Sequence, residues 1–275
     1  RKADALDSVR ELIRRNYTEI SSKLDVLNKD FQNKIIKSLI DIRKSYNTND
    51  LLFNFMPEYG TEHKLKKLKQ EYLNLLKEFN KLSQTDEQKY NDYFLSLAAL
   101  IPKDNKTFTN DITIETVFKM LEITKMKSAL DLKRDLDVKR KIIRTPLDLF
   151  LKTINEFINN QEDEKRIEIN ESGEIYLATK YEKHIDIHAI SSGERQLVIF
   201  FAKLIFDIDR DSSGIFMVDE PELSLHLYWQ KIFIDKIREV NPNIQIIFAT
   251  HAPEIVGRHR DKMRRLIKVY SKAEK

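Results

Sequence analysis

Three short segments in the last third of the chain carry residues whose types and spacing could do chemistry together. Ile215-Phe216-Met217-Val218 is an apolar run that ends in two carboxylates, Asp219 and Glu220, followed by Pro221 and Glu222. A buried parallel strand has this composition, and ligands gather at the carboxyl ends of such strands. At that tip Asp219 could hold Mg2+ through water, and Glu220 beside it could polarise an attacking water. Upstream, Ser191-Ser192-Gly193-Glu194-Arg195-Gln196 opens a strongly apolar stretch, Leu197 to Phe201. Ser191 and Glu194 have the spacing of a capping box. The free amides of a helix start, approached closely at Gly193, attract anions. Downstream, His251 follows the apolar run Ile244–Phe248. That run is expected to lie beside the Ile215 strand, which would bring the imidazole to the same anion.

Each segment also has a plainer reading. The acids could start a solvated loop, the serines could be a helix cap alone, and the histidine could be an ordinary residue after a strand. Order and spacing argue for a single site: Asp219 lies 28 residues after Ser191, and His251 lies 32 after Asp219. The pattern that would cradle the phosphates of a nucleotide, G-x-x-x-x-G-K-[ST], is missing. The five glycines are Gly60, Gly173, Gly193, Gly214 and Gly257, and none is followed by lysine.

In this order the segments resemble the signature motif, Walker B and switch histidine of an ABC-type ATPase. Residues 185–270 are similar to the C-terminal lobe of ABC-fold ATPases of repair and phage defence. Glu222-Leu223-Ser224-Leu225-His226 resembles the Glu-Leu-x-Leu-His continuation of the OLD-like (AAA-15) branch and of its Septu, retron and PARIS-type relatives. Thr250-His251-Ala252-Pro253-Glu254 resembles the same branch, where Thr-His-Ser-Pro is usual. The resemblance implies that Ser191, Ser192 and Gly193, with Glu194, form a nucleotide-binding signature that meets the γ-phosphate held by a second copy. It implies that Asp219 binds the metal and that Glu220 and His251 are catalytic. The implied cofactors are ATP and Mg2+. The implied partners are a second copy of the chain or of its full-length form, an N-terminal lobe bearing Walker A, and a separate effector protein, a nuclease or toxin. OLD nucleases carry a Toprim domain after the switch region. These residues hold none, so the effector is expected on another chain.

The elements that must position these residues follow from periodicity. Residues 1–160 read as mostly helical, with apolar residues at three- and four-residue spacing in Leu6, Val9, Leu12, Ile13 and again in Leu65, Leu68, Tyr72, Leu75, Leu76, Phe79. Loops are expected at Asn47–Gly60 and Asn105–Asn110, and Pro146 is expected to open a last helix through about Asn159. From Arg166 the pattern changes. Arg166–Asn170 and Glu174–Ala178 alternate around Glu171-Ser172-Gly173 and read as a hairpin. Ile185 and Ile187 continue as a strand. Helix is expected from Ser192, strand at Ile215–Val218, helix at about Ser224–Val240, strand at Ile244–Thr250, helix after Pro253 and a last strand at Leu266–Tyr270. Strands alternating with helices imply a parallel layer. The fold class is therefore α/β: a partial ABC-ATPase lobe, P-loop NTPase-like, at 161–275, preceded by a large, mostly α-helical insertion or arm at 1–160.

Composition narrows the classes further. A net charge of +4 over 275 residues rules out a protein that holds nucleic acid by bulk charge. The absence of cysteine excludes disulfides and thiolate metal sites, which fits a cytoplasmic protein. No apolar run approaches a membrane span, so no membrane partner is expected. His184 and His188 alternate with Ile185 and Ile187, which puts them with Asp186 on an exposed strand face rather than in a metal site. The stretch 125–144 holds eight lysines and arginines against three aspartates, a local +5. Within it Lys139, Arg140 and Lys141 are candidates for contact with a nucleic-acid backbone, against a plain charged surface.

The expected function is an ATP-binding and hydrolysing subunit of an anti-phage defence or DNA-repair-like complex, whose ATP-dependent dimerisation controls a separate effector. The competing reading is a non-hydrolysing ABC-fold scaffold or sensor that acts only through protein or nucleic-acid contacts. Intact Asp219, Glu220 and His251 argue against it, since a scaffold needs none of them.

Overall fold

The helical expectation for the first 160 residues agrees with the structure where those residues are described. The computed structural model describes residues 4–40, 61–79, 83–98, 113–159, 162–208, 214–257 and 259–264. Its first half consists of α1 (Ala5–Ile40), α2 (Glu62–Glu78), α3 (Gln84–Ala98) and α4 (Ile114–Ile158). On α2 the apolar stripe is literal: Leu65, Leu68 and Leu75 are buried, Lys66 and Lys67 are exposed, and the Thr61 hydroxyl caps the start by accepting from the Lys64 amide. The loops expected at 47–60 and 105–110, and the strand expected at 266–270, lie outside the described residues.

Pro146 does not open a helix; it lies inside α4. An interior proline costs a helix about 3 kcal/mol, because it has no N–H for the carbonyl one turn back. The helix runs through because Leu147, Phe150, Ile154 and Phe157 beyond it are all buried, and each such side chain contributes about 1.5–3 kcal/mol.

The hairpin forms as read. β1 (Arg166–Ile169) pairs antiparallel with β2 (Ile175–Ala178). The Asn170 side chain accepts from the Ser172 and Glu174 amides and shapes the turn, and Gly173 takes φ 81°. β3 (Ile185–Asp186) extends this sheet but stops before Ile187. The Asp186 carboxylate accepts from the His188 amide at 2.8 Å and turns residues 187–189 into a 3-10 helix, so Ile187 and His188 leave the strand.

The second layer is the one that carries the site. α5 (Ser192–Phe206) is followed by β4 (Ile215–Asp219), α6 (Leu227–Val240), β5 (Gln245–Ala249) and a short α7 (Pro253–Val256). α6 starts three residues later than expected. Ser224 sits at φ 68°, which no helix accommodates, and the His226 side chain caps the helix by accepting from the Tyr228 amide. β4 and β5 are parallel neighbours, as the sequence implied, with Asp219 opposite Ala249.

The chain forms two compact units, one of Arg1–Ser22 with Ile143–Lys275 and one of Lys23–Ile142. The first has a core of Leu6, Val9 and Ile13 from α1, Phe150, Ile154 and Phe157 from α4, Leu197, Val198 and Phe201 from α5, and Phe233 and Ile237 from α6. The second is built around Leu65, Leu68, Leu75, Phe94, Leu97, Ile123, Met126 and Leu130. One face of the β4–β5 pair stays open, with Ile215 64%, Met217 76% and Ile247 47% exposed. Among the described residues, no helix is long and apolar enough to cross a membrane.

Candidate functional site

Parallel pairing of β4 with β5 brings two of the three chemical segments together. Asp219 ends β4 and is exposed. Glu220 follows in a left-handed conformation, φ 43°, and its amide donates to the Ala249 carbonyl at 2.7 Å. A glutamate in that region carries backbone strain of about 1–3 kcal/mol, of a kind that collects at functional sites. His251 lies two residues beyond β5, with its Nε2 3.9 Å from Glu220 Oε1. The two groups are too far apart to share a proton directly, and near enough to flank one reacting oxygen. Both face solvent: the His251 side chain is 92% exposed and that of Glu220 41%.

Glu222 ties the two strand ends together. Its Oε1 accepts from the His251 amide at 2.8 Å and the Ala252 amide at 3.1 Å. Burial alone would raise this carboxyl, but the Thr250 hydroxyl and the amides of Glu222, His251 and Ala252 outweigh it and hold it below the usual carboxylate range. It is therefore an anion at neutral pH.

The start of α5 joins the same assembly. Ser191 and Glu194 form the capping box in full: the Ser191 hydroxyl accepts from the Glu194 amide, and Glu194 Oε2 accepts from the Ser191 amide at 2.8 Å. Glu194 is only 6% exposed, and Lys165 Nζ lies 2.6 and 2.8 Å from its two oxygens. Its carboxylate thus faces into the protein and fixes the helix start. Ser191 and Ser192 remain exposed. Gly193 is buried. A Cβ there would stand 2.3 Å from the Ser224 carbonyl oxygen and 3.2 Å from the Trp229 ring. What needs the glycine in this chain is the approach of the turn after β4. Gln196 adds a bond from its Nε2 to the Pro221 carbonyl at 3.2 Å. Sequence reasoning placed Ser191–Glu194, Asp219, Glu220 and His251, but assigned no part to Gln196 and Trp229 and missed the bonds of Glu222. Only the position of Glu222, directly after Pro221 in the motif, hinted at its part.

The family model AAA_21, described as "AAA domain, putative AbiEii toxin, Type IV TA system", matches residues 2–257. The chain belongs to this family. Among curated proteins it is similar to the retron Vc95 probable ATPase of Vibrio cholerae serotype O1 biovar El Tor, 33% identical over 85 residues, covering 26% of this chain and 16% of that protein. It is also similar to the retron Ec83 probable ATPase of Escherichia coli, 29% identical over 92 residues, covering 29% of this chain and 16% of that protein. The Septu protein PtuA of Bacillus thuringiensis is 32% identical over 78 residues, covering 24% of this chain and 20% of that protein. The chain thus spans a fifth or less of the length of these relatives. A solved structure, the Smc head domain with a coiled coil and joint derived from Pyrococcus yayanosii, matches at 16% identity and a TM-score of 0.30, covering 91% of this chain and 53% of that one.

The remaining candidates of this AAA_21 chain make contacts of their own. The His184 ring packs tilted by 43° against Tyr176 with ring centres 4.3 Å apart, and His188 sits 3.1 Å from Arg10 and 3.2 Å from Asp7. In the basic stretch, Lys133 pairs with Glu78 and Asp137, Arg134 with Glu71 and Asp131, and Lys139 with Asp135 at 2.6 Å. Arg140 donates to Asn28 at 2.7 Å and lies 3.5 Å from Glu78. Lys141 is exposed. Much of the local positive charge is thereby matched by carboxylates on α2 and on α4 itself. Among the described residues, no group of three or more His, Asp or Glu could hold a metal on protein ligands alone.

Proposed function

We propose that the chain supplies the hydrolytic and trans-acting half of an ATP site in a defence ATPase. The observation that carries this reading is the convergence on one turn, Glu220–Ser224, of the strand-tip acids, the His251 and Ala252 amides just beyond β5, and the start of α5. Asp219 would hold Mg2+ together with the nucleotide's phosphates. An exposed hard oxygen donor at a strand tip suits that ion, which keeps several waters and rarely relies on an all-protein cage. Bound there, the metal would neutralise charge on the phosphates. Glu220 would orient and polarise the attacking water, and His251 would face the same phosphate across from it.

The phosphate cradle must come from elsewhere, because no P-loop glycine–lysine pair is present. The open face of β4–β5 supports this. Parallel sheets are covered on both faces, yet Ile215, Met217 and Ile247 are exposed. A Walker A-bearing strand and helix is the occupant we assign to that face. The exposed Ser191 and Ser192 would meet a γ-phosphate held by a second copy, so that ATP favours the pair and the pair controls a separate effector.

The test is Glu220→Gln in the protein completed by its Walker A lobe. Turnover is expected to vanish while ATP still binds and the dimer accumulates in sedimentation. Hydrolysis at the wild-type rate in that variant would overturn the assignment and favour a scaffold role.

A further inference from the structure

We infer that Glu222 is a positioning residue for hydrolysis, acting by fixing where His251 stands relative to Glu220. This rests on the ATPase reading above. β5 ends at Ala249, and the next amides have left the ladder. Those of His251 and Ala252 both donate to one oxygen of Glu222, at 2.8 and 3.1 Å. Bonds to a carboxylate are roughly twice as strong as neutral ones. In the other direction, the Glu220 amide donates to Ala249 at 2.7 Å. Each strand end therefore holds the backbone of the other, and the loop is closed by two residues of the turn, Glu220 and Glu222.

The His251 ring has little else to aim it. Its side chain is 92% exposed, and its nearest ionic neighbour, Glu220, is 3.9 Å away, beyond hydrogen-bond reach. The ring's place is set by its backbone; the His251 amide is held by Glu222, and the Ala252 amide is shared between Glu222 and the Thr250 hydroxyl, 3.0 Å away. Releasing it would let the imidazole wander by an ångström or more, and a misplacement of about 1 Å can cost on the order of 100-fold in rate. A glutamine at 222 keeps an acceptor oxygen at the same reach. An alanine keeps none, and an aspartate, one methylene shorter, carries the charge but falls short of the amides.

The experiment is a double-mutant cycle in the complete protein with its Walker A lobe, measuring kcat and KM for ATP in Glu222→Ala, Glu222→Gln, His251→Ala and the Glu222→Ala/His251→Ala pair. Glu222→Ala is expected to lower kcat by roughly 10–100-fold with KM nearly unchanged. Glu222→Gln is expected to restore most of the rate, and the double variant to be no slower than His251→Ala alone, because Glu222 acts only through that histidine. If Glu222→Ala does not fold, Glu222→Asp takes its place in the cycle with the same expectation. Wild-type turnover in the Glu222 variant, or losses that multiply in the pair, would overturn the inference while leaving the ATPase reading intact. A His251→Ala protein at the wild-type rate would instead sink the catalytic role of His251, and the inference with it.

Discussion

Replacing Gly193 with alanine tests whether the start of α5 and the turn after β4 are one mechanical piece. The added Cβ would sit 2.3 Å from the Ser224 carbonyl oxygen and 3.2 Å from the Trp229 ring. A carbon and a carbonyl oxygen settle at roughly 3.3 Å or more. About 1 Å must therefore be found by moving the helix start or the turn. The turn has little slack. Its Glu220 amide is bound to Ala249 at 2.7 Å, Pro221 to Gln196 at 3.2 Å, and Glu220 and Ser224 already stand at φ 43° and 68°. Overpacking of this kind costs about 1–3 kcal/mol, and alanine's better helix propensity returns up to about 1 kcal/mol. The net expectation is a loss of about 1–2 kcal/mol, or a Tm lower by about 2–8 °C. Trp229 is the sole tryptophan, so urea unfolding followed by its fluorescence reads both the stability and the contact. If the proposed ATPase role holds, the displaced turn should also cost on the order of 100-fold in turnover. Ser192→Ala, at an exposed position one residue earlier, should stay within about 0.5 kcal/mol of wild type. A Gly193→Ala chain with wild-type stability and unaltered Trp229 emission would refute the reasoning.

Other outcomes follow from the same geometry. Ser192→Arg should abolish ATP-driven pairing of the complete protein in sedimentation without shifting its unfolding midpoint, and an unchanged dimer fraction would exclude a contact across copies. Lys152 and Lys236 hold the Glu239 carboxyl down to about 2. A lowered carboxyl contributes stability that is present above its ordinary range and lost as pH falls from about 4.5 toward 2. The Glu239 side chain is 44% exposed, so screening cuts the contribution to about 1 kcal/mol. Glu239→Gln should therefore unfold more easily at pH 7 and match wild type near pH 2, and an equal deficit at both would count against the ion pairs. Changing Lys139, Arg140 and Lys141 together to glutamate sets like charges beside Asp135 and Glu78, and should cost the helical unit about 1–2 kcal/mol in thermal unfolding. A simultaneous fall in binding of a short duplex at low salt would show that the stretch also contacts phosphate.

Much of the layer that carries the site was legible in the sequence because its signals are local. Ile215–Val218 and Ile244–Phe248 are short apolar runs bounded by polar residues, and runs of that kind separated by a helix pair in parallel. The capping box needs only Ser191 and Glu194, three residues apart, and the hairpin needs only alternation around Gly173. The misreadings were also local rules overruled. Pro146 signals a helix start, but apolar burial beyond it carries α4 through. Alternation at Ile185 and Ile187 signals a strand, but one side-chain bond from Asp186 turns the chain.

By itself, the sequence determined which groups are present and near which strand or helix end each must sit: two acids after one run, a histidine after another, a capped helix start. Only the tertiary structure decided how these ends engage. Glu222 reaches His251 across 29 residues, Gln196 reaches Pro221 across 25, and Gly193 lies under Ser224. The grouping of α1's first turns with residues beyond 142, rather than with the rest of the helices, was settled in the same way. Periodicity and capping are properties of a few consecutive residues. Which buried glycine lies under which carbonyl, and which carboxylate takes which stray amide, depends on how separate elements pack, and no local window of sequence contains both partners.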